Sequence, residues 1–452
     1  MLPLSRACVA WAWQVHVHFL RLVPNDSGEI AVRVARTCRR LGIPTVAVYV
    51  ANDAGSLHVR ECDEAVCVGT DGSAYTAPHA LLEAGAATQA DAIHPGYGFL
   101  SENAAFARAV QESGMTWLGP PAAAIQDMGC KLRSKELARD AGVAVIPGGE
   151  SAGALGSVDE ALRMMNAADS ALRYPVLIQA AAGGGGKGMR ICWNDDDLRE
   201  GYPQAQSEGE KFFADGRLLM RQYLEDPHHI EFQVVCGRNS DDAVDVAIFA
   251  ERECSVQRRN QKIVEESPSC LLTETTRRRM MEQTARLCQK VGYEGAGTVE
   301  WLVLAGADRD RDRDAVQDFY FLEMNTRLQV EHPVTEAVTG GVDLVEAMLE
   351  VGATRRLPRA WYDAAAAMPL GRGQMLVMPH RGHAIEGRIY AEDPRREYLP
   401  STGPLLPYKE PAEAVAVDDG SDHPIAAADG FTSYLRLDSG VVEGHVGASL
   451  VC

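Results

Sequence analysis

Long apolar runs are missing from this sequence. No stretch reaches the roughly 18 residues that a membrane-spanning helix requires, and the best candidate, Ala7 to Trp13, is short and followed by Gln14, His16 and His18. A spanning helix is therefore excluded. Positive charge is also scarce: 44 Lys and Arg stand against 63 Asp and Glu, a net charge of -19. That balance excludes a nucleic-acid or anionic-membrane surface as the main partner and leaves room only for local basic pockets. The 11 cysteines form no C-x-x-C pair and keep no regular spacing, so neither a disulfide framework nor a cysteine zinc site is expected. They read as reduced thiols in a reducing compartment. Internal repeats and catalytic low-complexity segments are absent as well.

What is present is a globular composition, 46% hydrophobic and 24% charged. Its 452 residues suffice for two to four domains of about 100 to 200 residues each. The first 25 residues carry Arg6 and Arg21 and no acidic residue, a weak match to an organellar transit segment. A strand at Leu20 to Val23, an amphipathic helix over Glu29 to Leu41 and an apolar strand at Thr45 to Val50 spell a βαβ unit. A further strand at Asp91 to His94 leads through Gly96-Tyr97-Gly98 to a helix expected near Ser101, with Ser101 as cap and Glu102 in its first turn. An open α/β first domain follows. Gly, Ala and Ser between Gly148 and Gly156 mark a linker, and Val234 to Val345 is strand-rich. Within it, Thr298 to Leu304 and Phe319 to Met324 pair as a hairpin around the solvated charge run Asp308 to Asp314. After Asp363 the chain is Ala-rich, and a strand-like segment spans Tyr434 to Val442.

Three segments carry chemistry. Gly183-Gly184-Gly185-Gly186-Lys187-Gly188 leaves the apolar run Tyr174 to Ile178. Such a loop lets backbone N–H groups approach phosphate oxygens, although a plain surface loop fits the same residues and the Walker Ser or Thr is absent. The segment Glu323 to Glu331 alternates with period two, so an extended chain would put Glu323, Asn325, Arg327, Gln329 and Glu331 on one face. Glu300 would lie beside Glu323 across the hairpin, and two adjacent carboxylates repel unless a cation such as Mg²⁺ sits between them. Glu253 to Lys262, with Glu265 and Glu266, concentrates opposite charges on what reads as an exposed strand. Cys254 is expected to be a packed residue, and His229 a loop histidine outside any metal site.

Taken together, HPGYGFLSEN (His94 to Asn103), GGGGKGMRI (Gly183 to Ile191), ERECSVQRRNQKIVEE (Glu251 to Glu266), FYFLEMNTRLQVEHPVTE (Phe319 to Glu336) and GHAIEGRIYAEDP (Gly382 to Pro394) resemble the biotin carboxylase part of the biotin-dependent acyl-CoA carboxylases. The likeness runs from about Gly28 to Glu443, in the family's order and spacing. It is strongest toward the propionyl-CoA branch, with the methylcrotonoyl-CoA branch next. The resemblance implies an α/β chain of ATP-grasp fold. Its divisions would be 1–25 as a targeting or unmatched segment, 26–130 as an N-terminal α/β domain, 131–352 as the ATP-grasp domain with a lid at about 150–225, and 353–452 as a C-terminal subdomain incomplete at its end.

The resemblance also implies a reaction in which ATP phosphorylates bicarbonate and the carboxyphosphate supplies CO₂ to biotin N1. By motif, Lys131, Gln179, Gly183, Gly184, Gly185, Gly186, Gly188, Arg221, Leu224, His229, Gln233, Asn260 and Lys262 would surround ATP. Glu300 and Glu323, with Asn325, would hold Mg²⁺ or Mn²⁺. Arg327, Gln329 and the Val330 backbone would bind bicarbonate, Glu331 would be the general base, and Arg388 would stabilise the biotin enolate. Implied partners are a biotin carboxyl carrier domain and a carboxyltransferase β subunit in an oligomer, in the mitochondrial matrix or else the cytoplasm. Gln179 replaces a family lysine before the glycine loop, and Arg221 replaces an acidic residue that meets the adenine amino group. The likeness ends after Glu443 without reaching a biotinyl-lysine motif, which points to a fragment, a faulty gene model or a subunit whose biotin is carried elsewhere.

Overall fold

The computed structural model describes residues 21–24, 26–148, 154–168, 170–180, 189–213, 216–259, 261–305, 316–401, 403–411, 414–415, 434–444 and 446–447. The first unit is built on short parallel strands: β1 (Leu22–Pro24), β2 (Val46–Val50), β3 (Glu64–Gly69), β4 (Ala92–His94) and β5 (Thr116–Trp117). β1, β4 and β5 form one parallel sheet, β2 pairs with β3, and a bridge from Leu22 to Thr45 brings β2 alongside β1. This is the expected open α/β arrangement. The predicted amphipathic helix is Glu29–Arg40, which buries Ile30, Val34 and Cys38 at four-residue spacing and so covers one face of the strands.

The next helix begins later than predicted. It spans Ala104–Glu112, and its cap is Asn103, whose side chain accepts the Phe106 N–H at 2.9 Å. Ser101 is still in the preceding turn, bonding back to the Gly98 carbonyl, so Glu102 is freed for a tertiary contact. The turn itself is held by Asp26, which accepts the backbone N–H groups of Tyr97 at 3.0 Å and Gly98 at 2.7 Å. Gly96 has φ 65°, and a Cβ there would run into Asp26, so the turn requires glycine at this position.

The segment expected to form a lid holds a three-stranded antiparallel sheet of β6 (Val176–Ala180), β7 (Met189–Cys192) and β8 (Leu218–Gln222), with β6 central. Strand alternation divides it cleanly. Val176, Ile178, Ala180, Leu218 and Met220 pack against Leu198 and Tyr202 of helix Asp195–Phe213, while Leu177, Gln179 and Arg221 take the other face. Where the chain approaches this sheet, Gly148 has φ 83° and a side chain there would collide with the Met220 carbonyl. Residues 149–153 of the expected linker lie outside the described residues, as do the glycine loop 181–188 and the charge run 308–314.

The body is a nine-stranded sheet organised on β9 (His228–Arg238). One edge of β9 pairs along its whole length with β13 (Gly295–Val303). Its other edge is shared by β10 (Val244–Ile248) and β11 (Arg252–Arg258). β11 turns back into β12 (Gln261–Ser267), and β13 into β14 (Phe319–Asn325), the predicted hairpin. β15 (Ala366–Leu370) and β16 (Gly373–Val377) extend the sheet beyond β10, so the Ala-rich stretch after Asp363 enters a strand. β17 (Ala384–Gly387) closes the other end against β12. Helix Glu274–Val291, ended by Gly292 at φ 65°, packs on the apolar face with Phe232, Trp301 and Phe321, all fully buried. Each of those rings is worth about 3–5 kcal/mol against truncation. Only Leu435–Arg436 of the strand expected at Tyr434 to Val442 is extended in a sheet; Arg436 instead pairs with Glu336 at 2.6 Å.

Candidate active site

Alternation along β9 and β13 decides what reaches the polar face of the sheet. Ile230, Phe232 and Val234 enter the core, so His229, Glu231 and Gln233 emerge opposite them. On β13, Val299, Trp301 and Val303 are core residues, and Thr298, Glu300 and Leu302 emerge in register with Gln233, Glu231 and His229. Glu300 is also directly opposite Glu323 on β14, as the hairpin predicted. His229 is thus a strand residue rather than a loop residue, and its Nε2 lies 2.9 Å from Glu300 Oε2.

Lys262 on β12 reaches into this acidic group. Its Nζ is 2.5 Å from Glu231 Oε2, 2.7 Å from Glu331 Oε1 and 2.9 Å from Glu300 Oε1. Burial disfavours the ammonium, but the three carboxylates outweigh it and hold its pKa above the usual lysine value. Glu300 has further partners: Asn325 Nδ2 at 2.7 Å and Gln329 Nε2 at 2.9 Å also donate to Oε1. Burial alone would raise its pKa, yet His229 and Lys262 keep it well below the ordinary carboxylate range.

The chain after β14 departs from the expected extended form. The strand stops at Asn325, and residues 326–331 turn before helix His332–Val338, whose first turn holds Pro333, a residue suited to a helix start, and which buries Thr335. Glu331 and Gln329 are buried by this turn, whereas Arg327 swings to Glu102, 3.3 Å from its Nε, and Thr326 N–H bonds the same carboxylate at 3.0 Å. Val330 lies between Gln329 and Glu331, half-buried. Arg388, just past β17, completes the ring. Its NH2 is 2.8 Å from Glu331 Oε2, and its Nε donates to Glu265 Oε1 at 2.7 Å. Glu331 therefore bridges two cations, Lys262 on one oxygen and Arg388 on the other.

Beside this cluster, Leu177, Met189, Arg221, Tyr223, Leu224 and Leu302 line a cavity of about 410 Å³ between the β6–β8 sheet and β13. Its walls are mostly apolar, as is usual for a small-molecule pocket. Arg221 and Leu224, two of the residues that the resemblance implied for ATP, line this cavity, and Gln179 is two residues from Leu177 on the same strand face. Lys131 is exposed at the start of helix Lys131–Asp140 and lies close enough to Glu323 to lower its pKa. The glycines 183–186 and 188, and Asn260, lie outside the described residues.

One assignment is corrected. Gln233 is fully enclosed, with Oε1 accepting from Arg252 at 2.9 Å and Nε2 donating to the Gly297 carbonyl at 3.0 Å, so nothing is left to offer a nucleotide. The β11 pairing instead brings Gln257 to the cavity side, 3.2 Å from His229 Nδ1. Arg252, Glu231 and Glu386 were also not singled out, and Glu265 was read only as part of an exposed charged strand. Arg252 is wholly buried and bonds Glu231, Gln233, Thr298, Gln329 and Thr335. Burial raises Glu265 to about 7, and raises Glu386 further with Glu265 as neighbour. The available signal was the parity of Glu231 with His229 and of Glu265 with Ile263, visible only once the register is known. Cys254 is buried as expected, and burial holds its thiol far above the usual range.

The carboxylate pair suits a hard divalent cation. Glu323 is exposed at the edge, and among the described residues it has no hydrogen bond or ion pair. Desolvation and the charge of Glu300 push its pKa up, a repulsion that a bound Mg²⁺ between the two would remove.

Comparison with known proteins bears on this arrangement. The pattern of the biotin carboxylase N-terminal domain matches residues 19–125, and that of the carbamoyl-phosphate synthase L chain ATP-binding domain matches residues 131–360. The biotin carboxylase domain of a thermophilic 2-oxoglutarate carboxylase, solved with ADP, superposes with a TM-score of 0.74 at 37% identity, over 96% of this chain and 85% of that one. The chain belongs to the biotin carboxylase family. Its mixed α/β architecture is the ATP-grasp fold of those enzymes, which are ligases. Among curated relatives, the chain is 44% identical to the propionyl-CoA carboxylase alpha chain of Ruegeria pomeroyi, over 94% of this chain and 58% of that one. It is 45% identical to the mitochondrial alpha chain of Homo sapiens, over 89% and 51%. The chain spans about half the length of the curated relatives it matches.

Proposed function

We propose that the chain carboxylates biotin with bicarbonate and ATP, as the biotin carboxylase component of a propionyl-CoA carboxylase. The observation that carries this reading is Glu331 held between Lys262 Nζ at 2.7 Å and Arg388 NH2 at 2.8 Å. Bicarbonate would lie against Arg327, Gln329 and the Val330 backbone, within reach of Glu331, which takes its proton. The freed oxyanion attacks the γ-phosphate of ATP, releasing ADP, and the carboxyphosphate breaks down to CO₂ and phosphate. The phosphate withdraws the N1 proton of biotin, Arg388 offsets the enolate charge, and N1 attacks CO₂. Lys262 and His229 flank the phosphates, and the adenine would occupy the cavity lined by Leu224 and Arg221. Mg²⁺, held by Glu300 and Glu323 with Asn325 beside them, would neutralise the phosphate oxygens.

In this reading residues 131–352 form the ATP-grasp unit, with the lid at about 150–225, between the N-terminal domain 26–130 and the C-terminal subdomain 353–452. Biotin arrives on a carboxyl carrier domain, a carboxyltransferase β subunit consumes carboxybiotin, and the assembly is oligomeric. A mitochondrial matrix location is supported by the mitochondrial relatives, with the cytoplasm as the alternative because one relative is bacterial. Gln179 and Arg221 favour a second reading, a silent scaffold that binds nucleotide weakly. Bicarbonate-dependent ATP hydrolysis, with and without free biotin, separates the two: the enzyme hydrolyses ATP faster when both are present, and the scaffold does not.

A further inference from the structure

We propose that Glu266, Cys270 and His383 form a Zn²⁺ site on the outer face of the β12–β17 pair, opposite the acidic cluster. One carboxylate oxygen, the thiol sulfur and one imidazole nitrogen all lie within 4.8 Å of one another. His383 Nε2 is already 3.2 Å from Glu266 Oε2. In tetrahedral zinc coordination, ligand atoms stand roughly 3.3 to 3.6 Å apart, so contraction of a flexible side chain is all that binding requires.

The backbone presents these ligands. Glu265 points to Arg388, so Glu266 must emerge on the other face of β12, beside the exposed Ile385 with which it is in register. Cys270 is exposed between two anchors. Ser269 bonds Glu251 through its N–H at 3.2 Å and Glu253 through its hydroxyl at 2.9 Å, and Leu271 is buried. His383 immediately precedes Ala384, which is in register with Ser267. The side chains of His383 and Glu266 are 38% and 30% exposed, so an ion can enter from solvent.

A thiolate with an imidazole and a carboxylate is a borderline-soft donor set, which selects Zn²⁺ over Mg²⁺. On binding, the Cys270 thiol proton passes to solvent and the sulfur bonds the metal without change of oxidation state; water takes the fourth position. The ion would staple β17 to β12 and so steady the strand that leads into Arg388. This assignment does not depend on the catalytic reading.

The test uses the full chain, freed of metal by chelator and kept without nucleotide. Titration with Co²⁺ should give one equivalent with a thiolate-to-metal charge-transfer band, displaced by Zn²⁺. Cys270→Ser should abolish the band, and both Cys270→Ser and His383→Ala should raise the Zn²⁺ dissociation constant by roughly 100-fold or more. Cys270→His should restore Zn²⁺ binding without the band, and Cys67→Ser, at another exposed cysteine, should change nothing. A band that survives Cys270→Ser, or Zn²⁺ affinity unchanged in His383→Ala, overturns the proposal.

Discussion

Replacing Arg252 by methionine tests how the polar floor of the site is held. Arg252 and Glu231 are both fully buried and form an ion pair at 2.5 Å. The substitution keeps the volume but leaves Glu231 with Lys262 and the more distant His229, and removes hydrogen bonds to Gln233 and Gln329. Breaking a buried pair by deleting one partner costs about 3–5 kcal/mol. Electrostatics gives a similar figure. Burial raises the pKa of Glu231, Arg252 and Lys262 lower it, and the net fall from 4.5 to about 2 is worth about 3 kcal/mol. Because the folded pKa is depressed, this stability is present above pH 4.5 and is lost as pH falls toward 2. Arg252→Met should therefore lower stability at neutral pH and flatten the acid dependence between those limits. The assay is denaturant unfolding of both proteins from pH 7 downward, with Arg252→Met/Glu231→Gln recovering part of the loss. A variant as stable as the parent at neutral pH, with the same acid profile, would refute the reasoning.

Gln179→Lys should raise nucleotide affinity or bicarbonate-dependent turnover by roughly ten-fold, since a charge-assisted contact recovers about 1.5 kcal/mol. Arg221→Glu should add a separate gain, roughly additive because the two positions serve opposite ends of ATP; isothermal titration with an ATP analogue reads both. Glu323→Gln should weaken Mg²⁺ dependence of ATP hydrolysis by at least about ten-fold while leaving the fold intact, because its carboxylate is at the exposed edge of β14. Trp301→Ala should cost about 3–5 kcal/mol by opening the core behind the site, visible in thermal unfolding.

The hairpin carrying Glu300 and Glu323 was legible because both strands alternate and its two carboxylates match in register. The turn at residues 326–331 was not, since period two continues through it while the backbone turns ahead of helix His332–Val338. Gln233 was misplaced for a related reason: alternation gives the face of a side chain, not its partner, and the fully buried Arg252 claims that amide. Charges such as Arg252 and Glu231 read as exposed in a sequence, because burial of a paired ion depends on contacts from distant strands. Ser101 was the cap read from the sequence, but its N–H is tied to the Gly98 carbonyl in the preceding turn, and Asn103 caps the helix instead.

The central claim is that Glu331, set between Lys262 and Arg388, is the base that activates bicarbonate. The direct measurement is bicarbonate-dependent ATP hydrolysis by Glu331→Gln, with Mg²⁺-ATP affinity measured in parallel. The account predicts a fall in kcat of about 100-fold or more with ATP affinity preserved, as expected when a general base is lost. Turnover equal to that of the parent protein would contradict it.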